Sequence, residues 1–257
     1  MSEIESAKVK SEKRVAIITG GASGIGRATA ERFSAEGIIP VIADLDENKA
    51  KALAEKLGGM AIKLDVTDYE ACRKAADAVF ESYGRIDILV CCAGGSSARI
   101  LNKPGNFADI DISRVQFGIN LNLMGALYIC HAVINRMIAA HYGRIVFLGS
   151  AAGIVGAAGG ADYSASKGGL MSFTKSLAME VGRQGVNVNI VSPGPIMTRP
   201  DMAAGNTFLG RCGEPEEVAS MINYLVSDEA SFLTGQNYIV DGGRTLGGLP
   251  YGDWFKK

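Results

Sequence analysis

Short apolar runs alternate along this chain with longer segments whose apolar positions return every three to four residues. The runs lie at 15–18, 38–43, 61–64, 88–92, 145–148, 186–191 and 238–240. Several show no apolar/polar alternation, the pattern of strands covered on both faces. Between them the helical period marks 24–36, 47–57, 69–83, 113–139, 163–183 and 215–226. Strand alternating with helix predicts parallel βαβ units with right-handed crossovers. The expected architecture is α/β: a doubly wound, seven-stranded parallel sheet with helices on both faces. At 257 residues the chain suits one such sheet. One domain over 1–257 is expected, with a short N-terminal extension (1–13) and a C-terminal tail (244–257).

Composition and charge narrow the functional classes. Hydrophobic residues make up 47% and charged residues 21%, a globular balance. A net charge of −1 offers no electrostatic footprint for nucleic acid or an anionic membrane, so neither is expected as a partner. Residues 1–14 alternate in charge and lack the apolar core of a secretory signal. The longest uncharged stretch, 145–161, has 17 residues and is rich in glycine, which fits a buried strand and loop better than a membrane span. Five cysteines without an export signal imply reduced thiols in a cytoplasmic protein. Cys91 and Cys92 adjoin in a predicted strand, so their side chains should point to opposite faces. No Cys/His cluster has zinc spacing, and no metal is expected. His131 and His141 fall on a helix and near its end, away from the predicted binding edge, and Cys212 reads as an inert loop thiol.

In a doubly wound sheet, ligands bind beyond the carboxyl ends of the strands, where the strand order reverses. The loops at those ends carry the candidate chemistry. The first run passes through Thr19-Gly20-Gly21-Ala22-Ser23-Gly24-Ile25-Gly26 into a helix. Glycines there admit a pyrophosphate close to backbone N–H groups, and the helix N-terminus adds partial positive charge. The same glycines could serve a plain turn, but Asp44, ending the second run, strengthens the dinucleotide reading. Its carboxylate can accept bonds from both hydroxyls of an adenosine ribose and would repel a 2′-phosphate. Leu45 and Ser23 bring no positive charge to meet such a phosphate, which favours NAD(H) over NADP(H). Capping of the next helix is an alternative role for Asp44, for which Asp46 is equally suited. Asp65 and Val66 end the third run, where an adenine edge would lie; Asp65 could equally cap a helix, as could Thr67 or Asp68. Ala93 and Gly94 end the fourth, where small side chains let a cofactor approach the backbone.

Tyr163 and Lys167 stand four positions apart, on one helical face, and open a helix at the predicted binding edge. A phenol ordinarily titrates near pH 10, so action as a base at neutral pH needs a shift of about 3 units. A lysine ammonium about 4 Å away supplies an energy of that order. Ser150 ends the fifth run, and its hydroxyl can steady an alkoxide on the substrate. Asn122 falls on the apolar stripe of its helix with Val115, Ile119, Ala126 and Ile129. A buried amide there is either structural glue or part of a proton path to Lys167.

Together these residues resemble the short-chain dehydrogenase/reductase family over about 14–243. The TGxxxGxG loop is Thr19, Gly20, Gly24 and Gly26; the catalytic tetrad falls on Asn122, Ser150, Tyr163 and Lys167; Pro193-Gly194-Pro195-Ile196-Met197-Thr198 looks like the PGxxxT segment; and Asp241-Gly242-Gly243 resembles the end of the last strand. The resemblance implies a Rossmann-type NAD-binding fold. It implies that Tyr163 is the general acid/base, that Lys167 lowers its pKa and binds the nicotinamide ribose, and that Ser150 positions the substrate oxygen. Asn122 would order a relay water, and Pro193, Gly194, Ile196 and Thr198 would lie at the nicotinamide, with Ile196 and Thr198 holding its carboxamide. A homotetramer built through the helices at 113–139 and 163–183 is also implied. Two features depart from the family. Cys91-Cys92-Ala93-Gly94 stands where Asn-Asn-Ala-Gly is usual, and the segment between Thr198 and Gly213 is short. Tyr251, Trp254 and Phe255 in the tail suggest docking across a subunit boundary.

The expected function is NAD(H)-dependent interconversion of a secondary alcohol and a ketone, with a hydroxysteroid or bile acid, or a cyclic or sugar alcohol, as substrate. The competing expectations are a 3-oxoacyl-carrier-protein-type reductase using NADPH and a non-catalytic NAD-binding sensor. The sensor would need Asp44 and the glycines but not Ser150 with Tyr163.

Overall fold

The computed structural model describes residues 11–200, 202 and 207–247. Its sheet contains β1 (Val15–Thr19), β2 (Ile39–Asp44), β3 (Met60–Lys63), β4 (Ile88–Cys91), β5 (Gly143–Leu148), β6 (Val186–Pro193) and β7 (Asn237–Val240). All neighbours are parallel, in the order β3-β2-β1-β4-β5-β6-β7. The chain therefore winds outward in one direction from β1 to β3, then crosses back and winds outward from β4 to β7. The reversal lies between β1 and β4, where the crevice of a doubly wound sheet opens. All five residues of β1 and all four of β4 are buried, which explains their unbroken apolar sequence.

Helices cover both faces. On one, α3 (Tyr69–Tyr83), α6 (Gly125–Ala140) and α8 (Ala161–Val181) pack around Val79, Ile129, Leu170 and Phe147. On the other, α1 (Gly24–Ala35), α2 (Glu47–Leu57) and α9 (Pro215–Leu225) pack around Phe33, Leu53, Ile222 and Val146. Cys91 joins the first core and Cys92 packs against the second, on opposite faces as adjacent strand positions require. Local chemistry starts the helices. Asp46 caps α2 by accepting the Lys49 N–H, Asp68 caps α3 through Ala71, and Glu214 with Glu217 forms a capping box ahead of Pro215 in α9.

The segment expected as one helix over 113–139 is interrupted. It comprises α5 (Ile112–Ile119), a π-helical turn (Asn120–Met124) and α6. The Asn122 amide donates to the Gly118 carbonyl at 3.0 Å, and the wider turn rotates the inward face. The buried line consequently runs through Arg114, Gly118, Asn122 and Ala126; Val115 and Ile119, expected on that line, are only half-buried. Two short helices, α4 (Ser97–Ile100) and α7 (Ala152–Val155), are too brief to carry a periodic signal. Among the described residues, the run Ile112–Ala140 is long and apolar enough to cross a membrane, rather than the 145–161 stretch. It packs on α3 and β5, with less than half of its apolar window buried. Tyr251, Trp254 and Phe255, most of the N-terminal extension, and residues 201 and 203–206 of the short segment before Gly213 lie outside the described residues.

Candidate active site

The loops leaving β1, β4, β5 and β6 converge at the reversal point. Gly20 has φ +62, and a Cβ there would stand 2.8 Å from the Ala93 backbone beyond β4. The two loops touch backbone to backbone, and the Thr19 hydroxyl accepts the Ala93 N–H at 3.3 Å. Gly24 begins α1 against Thr198, whose Cγ2 would lie 3.2 Å from a Cβ at that glycine. Ser23 is exposed and makes no side-chain cap, so the first-turn N–H groups of α1 have no side-chain acceptor. Ile25 and Gly26 are buried beneath the loop.

Asp44 ends β2 beside that loop. One carboxylate oxygen accepts the Ala22 N–H and the other the Asp46 N–H, each at 3.0 Å. Asp46 serves as the helix cap, so Asp44 is spared that role. Lys49, the nearby cation, is paired with Asp46 at 2.7 Å, and Leu45 projects outward, 66% exposed. Asp65 is likewise no cap. Its oxygen accepts from the Thr67 N–H and hydroxyl, while Asp68 caps α3. Val66 is buried against Gly125, where a Cβ would come within 2.6 Å of it. An uncapped helix N-terminus, a glycine cradle that a Cβ would fill, and a carboxylate at the next strand end fit a dinucleotide.

At the Cys91-Cys92 departure the turn is held by its neighbours, with the Cys92 N–H on the Thr19 carbonyl at 3.1 Å and the Ala93 N–H on the Thr19 hydroxyl. Burial pushes the Cys92 thiol up to about 12, so it is neutral at physiological pH. Beyond it, Asn122 clamps Gly95: its Oδ1 accepts the Gly95 N–H at 2.8 Å and its Nδ2 donates to the Gly95 carbonyl at 2.9 Å. With the bond to Gly118, both amide hydrogens are engaged. Gly94 has φ +148, and a Cβ there would meet Asn122 Oδ1 at 2.6 Å and Lys167 Nζ at 3.7 Å.

Tyr163 and Lys167 occupy the first turns of α8, opposite Ser150 at the end of β5. Burial raises the Tyr163 phenol, while a hydrogen bond with Ser150 and the positive charge of Arg99 pull it down. Lys167 lies 5.6 Å from the Tyr163 ring centre and donates to the Leu148 carbonyl at 2.7 Å. Burial lowers its ammonium to about 8. Sequence reasoning expects this lysine to make the phenol acidic; among the protein's own groups, burial outweighs every lowering influence on Tyr163. Ser150 Oγ also accepts the Ala152 N–H at 3.1 Å, which orients its hydroxyl. The Pro193 carbonyl accepts the Ala151 N–H, Gly194 packs on Asp241, and Ile196 is buried beside Gly213, carrying exposed Thr198 toward α1.

Sequence reasoning missed a buried cluster beneath this site. Asp162, adjoining Tyr163, bonds the Ser97 hydroxyl and lies 3.6 Å from Arg114. Arg114, 1% exposed, donates to Ser97 and to the carbonyls of Lys103 and Gly159. Its spacing from Gly118 and Asn122, four and eight positions, was the available signal.

A family model described as enoyl-(acyl carrier protein) reductase matches residues 20–245. The 3-oxoacyl-[acyl-carrier-protein] reductase of Salmonella typhimurium is 38% identical over 246 residues, spanning 91% of this chain and 98% of the relative. Trans-4-hydroxycyclohexanecarboxylate dehydrogenase of Sinomonas cyclohexanicum is 36% identical, across 91% of this chain and 94% of the relative. The 7alpha-hydroxysteroid dehydrogenase of Bacteroides fragilis is 34% identical, with coverages of 91% and 95%. The crystal structure of gox2181 superimposes with a TM-score of 0.86 at 34% identity, covering 93% of this chain and 98% of that one. With its parallel sheet, glycine cradle and Ser150–Tyr163–Lys167 grouping, the chain belongs to the short-chain dehydrogenase/reductase family of nicotinamide-dependent oxidoreductases.

Proposed function

We propose that this protein is an NAD(H)-dependent oxidoreductase that interconverts a secondary alcohol and a ketone on a cyclic substrate. The observation that carries the proposal is the placement of Tyr163 and the buried Lys167 in the first turns of α8, Nζ lying 5.6 Å from the phenol ring centre, beside Ser150 at the end of β5 on the sheet's binding edge. Gly20, Ser23, Gly24, Ile25 and Gly26 would cradle the pyrophosphate; Asp44 and Leu45 would lie at the adenosine ribose, and Asp65 and Val66 at the adenine. Ala93, Gly94, Pro193, Gly194, Ile196 and Thr198 would flank the nicotinamide. The bound nicotinamide supplies or accepts the hydride.

In reduction, Tyr163 donates its phenolic proton to the carbonyl oxygen while the Ser150 hydroxyl hydrogen-bonds that oxygen and stabilises its developing charge. Burial keeps the phenol protonated at neutral pH, the form required of the acid. In oxidation the same phenolate oxygen takes the alcohol proton back. Lys167 anchors to the Leu148 carbonyl, leaving two of its N–H donors for the ribose and for delivering positive charge near the phenol. Asn122 acts by holding Gly95 and the turn above Lys167.

Hydroxysteroids, other cyclic alcohols and sugar alcohols suit this chemistry, and the names of two relatives above support the cyclic class. A second reading, reduction of a 3-oxoacyl thioester with NADPH, is supported by the 38% identical relative. Asp44 favours NADH through charge repulsion of a 2′-phosphate. We place the enzyme in the cytoplasm as a homotetramer; the half-buried Leu127, Tyr128, Ile134 and Ile138 along the Ile112–Ala140 run support packing against other copies.

Tyr163→Phe tests the chemistry: turnover should drop about 10²- to 10⁴-fold, with NADH affinity by fluorescence titration nearly unchanged. Retained turnover in that variant would sink the acid/base role. Assaying cyclic alcohols, ketones and a 3-oxoacyl thioester with both cofactors separates the two readings.

A further inference from the structure

We propose that Arg99 is the anchor for a carboxylate carried by the substrate, so that the preferred substrates are cyclic hydroxy acids and their oxo acids. This inference rests on the oxidoreductase reading above and specifies its substrate class.

Arg99 lies in α4, directly beyond the turn that Asn122 clamps. Its guanidinium lies over Gly95: a Cβ at that glycine would fall 2.8 Å from Arg99 Nη2. Any side chain at 95 would take the guanidinium's place. The neighbouring Gly94 brings the same turn toward Lys167 Nζ, 3.7 Å from where its Cβ would be. One two-residue turn thus connects the lysine of the reacting centre to a second cation. The positive charge of Arg99 also reaches the Tyr163 phenol.

The guanidinium is uncommitted. Arginines mounted in the core are paired, as Arg85 is with Asp87 and Arg114 with Asp162. Among the described residues, the Arg99 side chain has neither a carboxylate partner nor a hydrogen-bond acceptor. Its support is rigid nonetheless. Ser97, two positions earlier, is buried and bonded to Asp162, the residue adjoining Tyr163, and Arg114 bonds both Ser97 and the Lys103 carbonyl. The phenol and the guanidinium therefore share one buried mount. A planar, permanently charged fork, exposed on a helix whose buried mount is shared with the proton donor, suits bidentate recognition of a carboxylate. A substrate hydroxyl at Tyr163 and Ser150 would then leave a carboxylate, a few bonds away on the ring, to meet Arg99.

The test compares 4-oxocyclohexanecarboxylate with its methyl ester in the wild type, Arg99→Gln and Arg99→Lys. The wild type should favour the free acid. In Arg99→Gln, the ratio of kcat/KM for acid over ester should fall about 10- to 100-fold, mainly through KM. Arg99→Lys should restore part of that ratio. Independently, calorimetric binding of cyclohexanecarboxylate to the NAD-loaded enzyme should weaken by a similar factor in Arg99→Gln. Equal handling of acid and ester by the wild type, or an unchanged ratio in Arg99→Gln, overturns the anchor while leaving the oxidoreductase reading intact. Absence of turnover by the wild type with every alcohol, ketone and cofactor overturns that reading, and the anchor with it.

Discussion

Asp44 and Asp46, two acidic residues with one position between them at the end of β2, divide their work. Asp46 spends its carboxylate on the Lys49 N–H and ammonium, while Asp44 spends one bond on the glycine loop and one on the turn that follows. A carboxylate oxygen accepts more than one hydrogen bond, so Asp44 retains capacity for ribose hydroxyls. Asp44→Ser should shift the NADH-to-NADPH ratio of kcat/KM toward NADPH by about 10- to 100-fold, because charged acceptors contribute more than neutral ones. Asp46→Ala should cost about 1 kcal/mol of stability as a lost cap, with no change in that ratio. A shifted ratio in the second variant instead of the first would reverse the assignment of these residues.

At the scale of elements, the π turn between α5 and α6 has a functional consequence. It directs the Asn122 amide inward to pair with both polar backbone groups of Gly95 and with the Gly118 carbonyl. Asn122→Ala would leave the half-buried Gly95 N–H and carbonyl without this partner, while the Gly118 carbonyl keeps the Ser166 hydroxyl, a loss of about 1–3 kcal/mol. Thermal denaturation would show that loss, and hydrogen exchange would show lost protection concentrated at the Gly95 N–H. An evenly spread loss of protection would argue against a local clamp. α5, which leads into this turn, brings Arg114 to Asp162 of α8 and to Ser97 of α4, so one side chain ties together the helices that bear Tyr163 and Arg99.

Across the whole molecule, the buried Lys167 couples the site to stability. Its folded pKa is lowered from 10.5 to about 8 by burial. Below pH 8 the ammonium is buried at full cost; between 8 and 10.5 the unfolded chain binds more protons, so this group's contribution makes stability rise with pH. Lys167→Met lacks the term. Measured by urea denaturation without added cofactor, its stability advantage over the wild type should shrink across that window, by a total on the order of 3 kcal/mol. A difference independent of pH would show that burial does not depress this lysine. On the same scale, sedimentation should report a tetramer, and charged substitutions at the half-buried Leu127 and Ile134 of α6 should dissociate it.

The linear chain determined the alternation of elements, because each strand needs apolar residues on both faces and each helix an apolar stripe. Local bonding reaches only a few residues, so the glycine cradle, the Tyr163–Lys167 spacing and Asp44 at a strand end were legible before any packing was known. What tertiary structure decided were the contacts between distant segments. The π turn depends on Asn122 meeting a loop 27 positions away. Asp44 is distinguished from Asp46 only by the loop it touches, and Arg114 and Asp162 become a pair only when α5 packs against α8. Burial, finally, sets the phenol and the ammonium: the residues were visible in the sequence, but the desolvation that governs their protons exists only in the folded site.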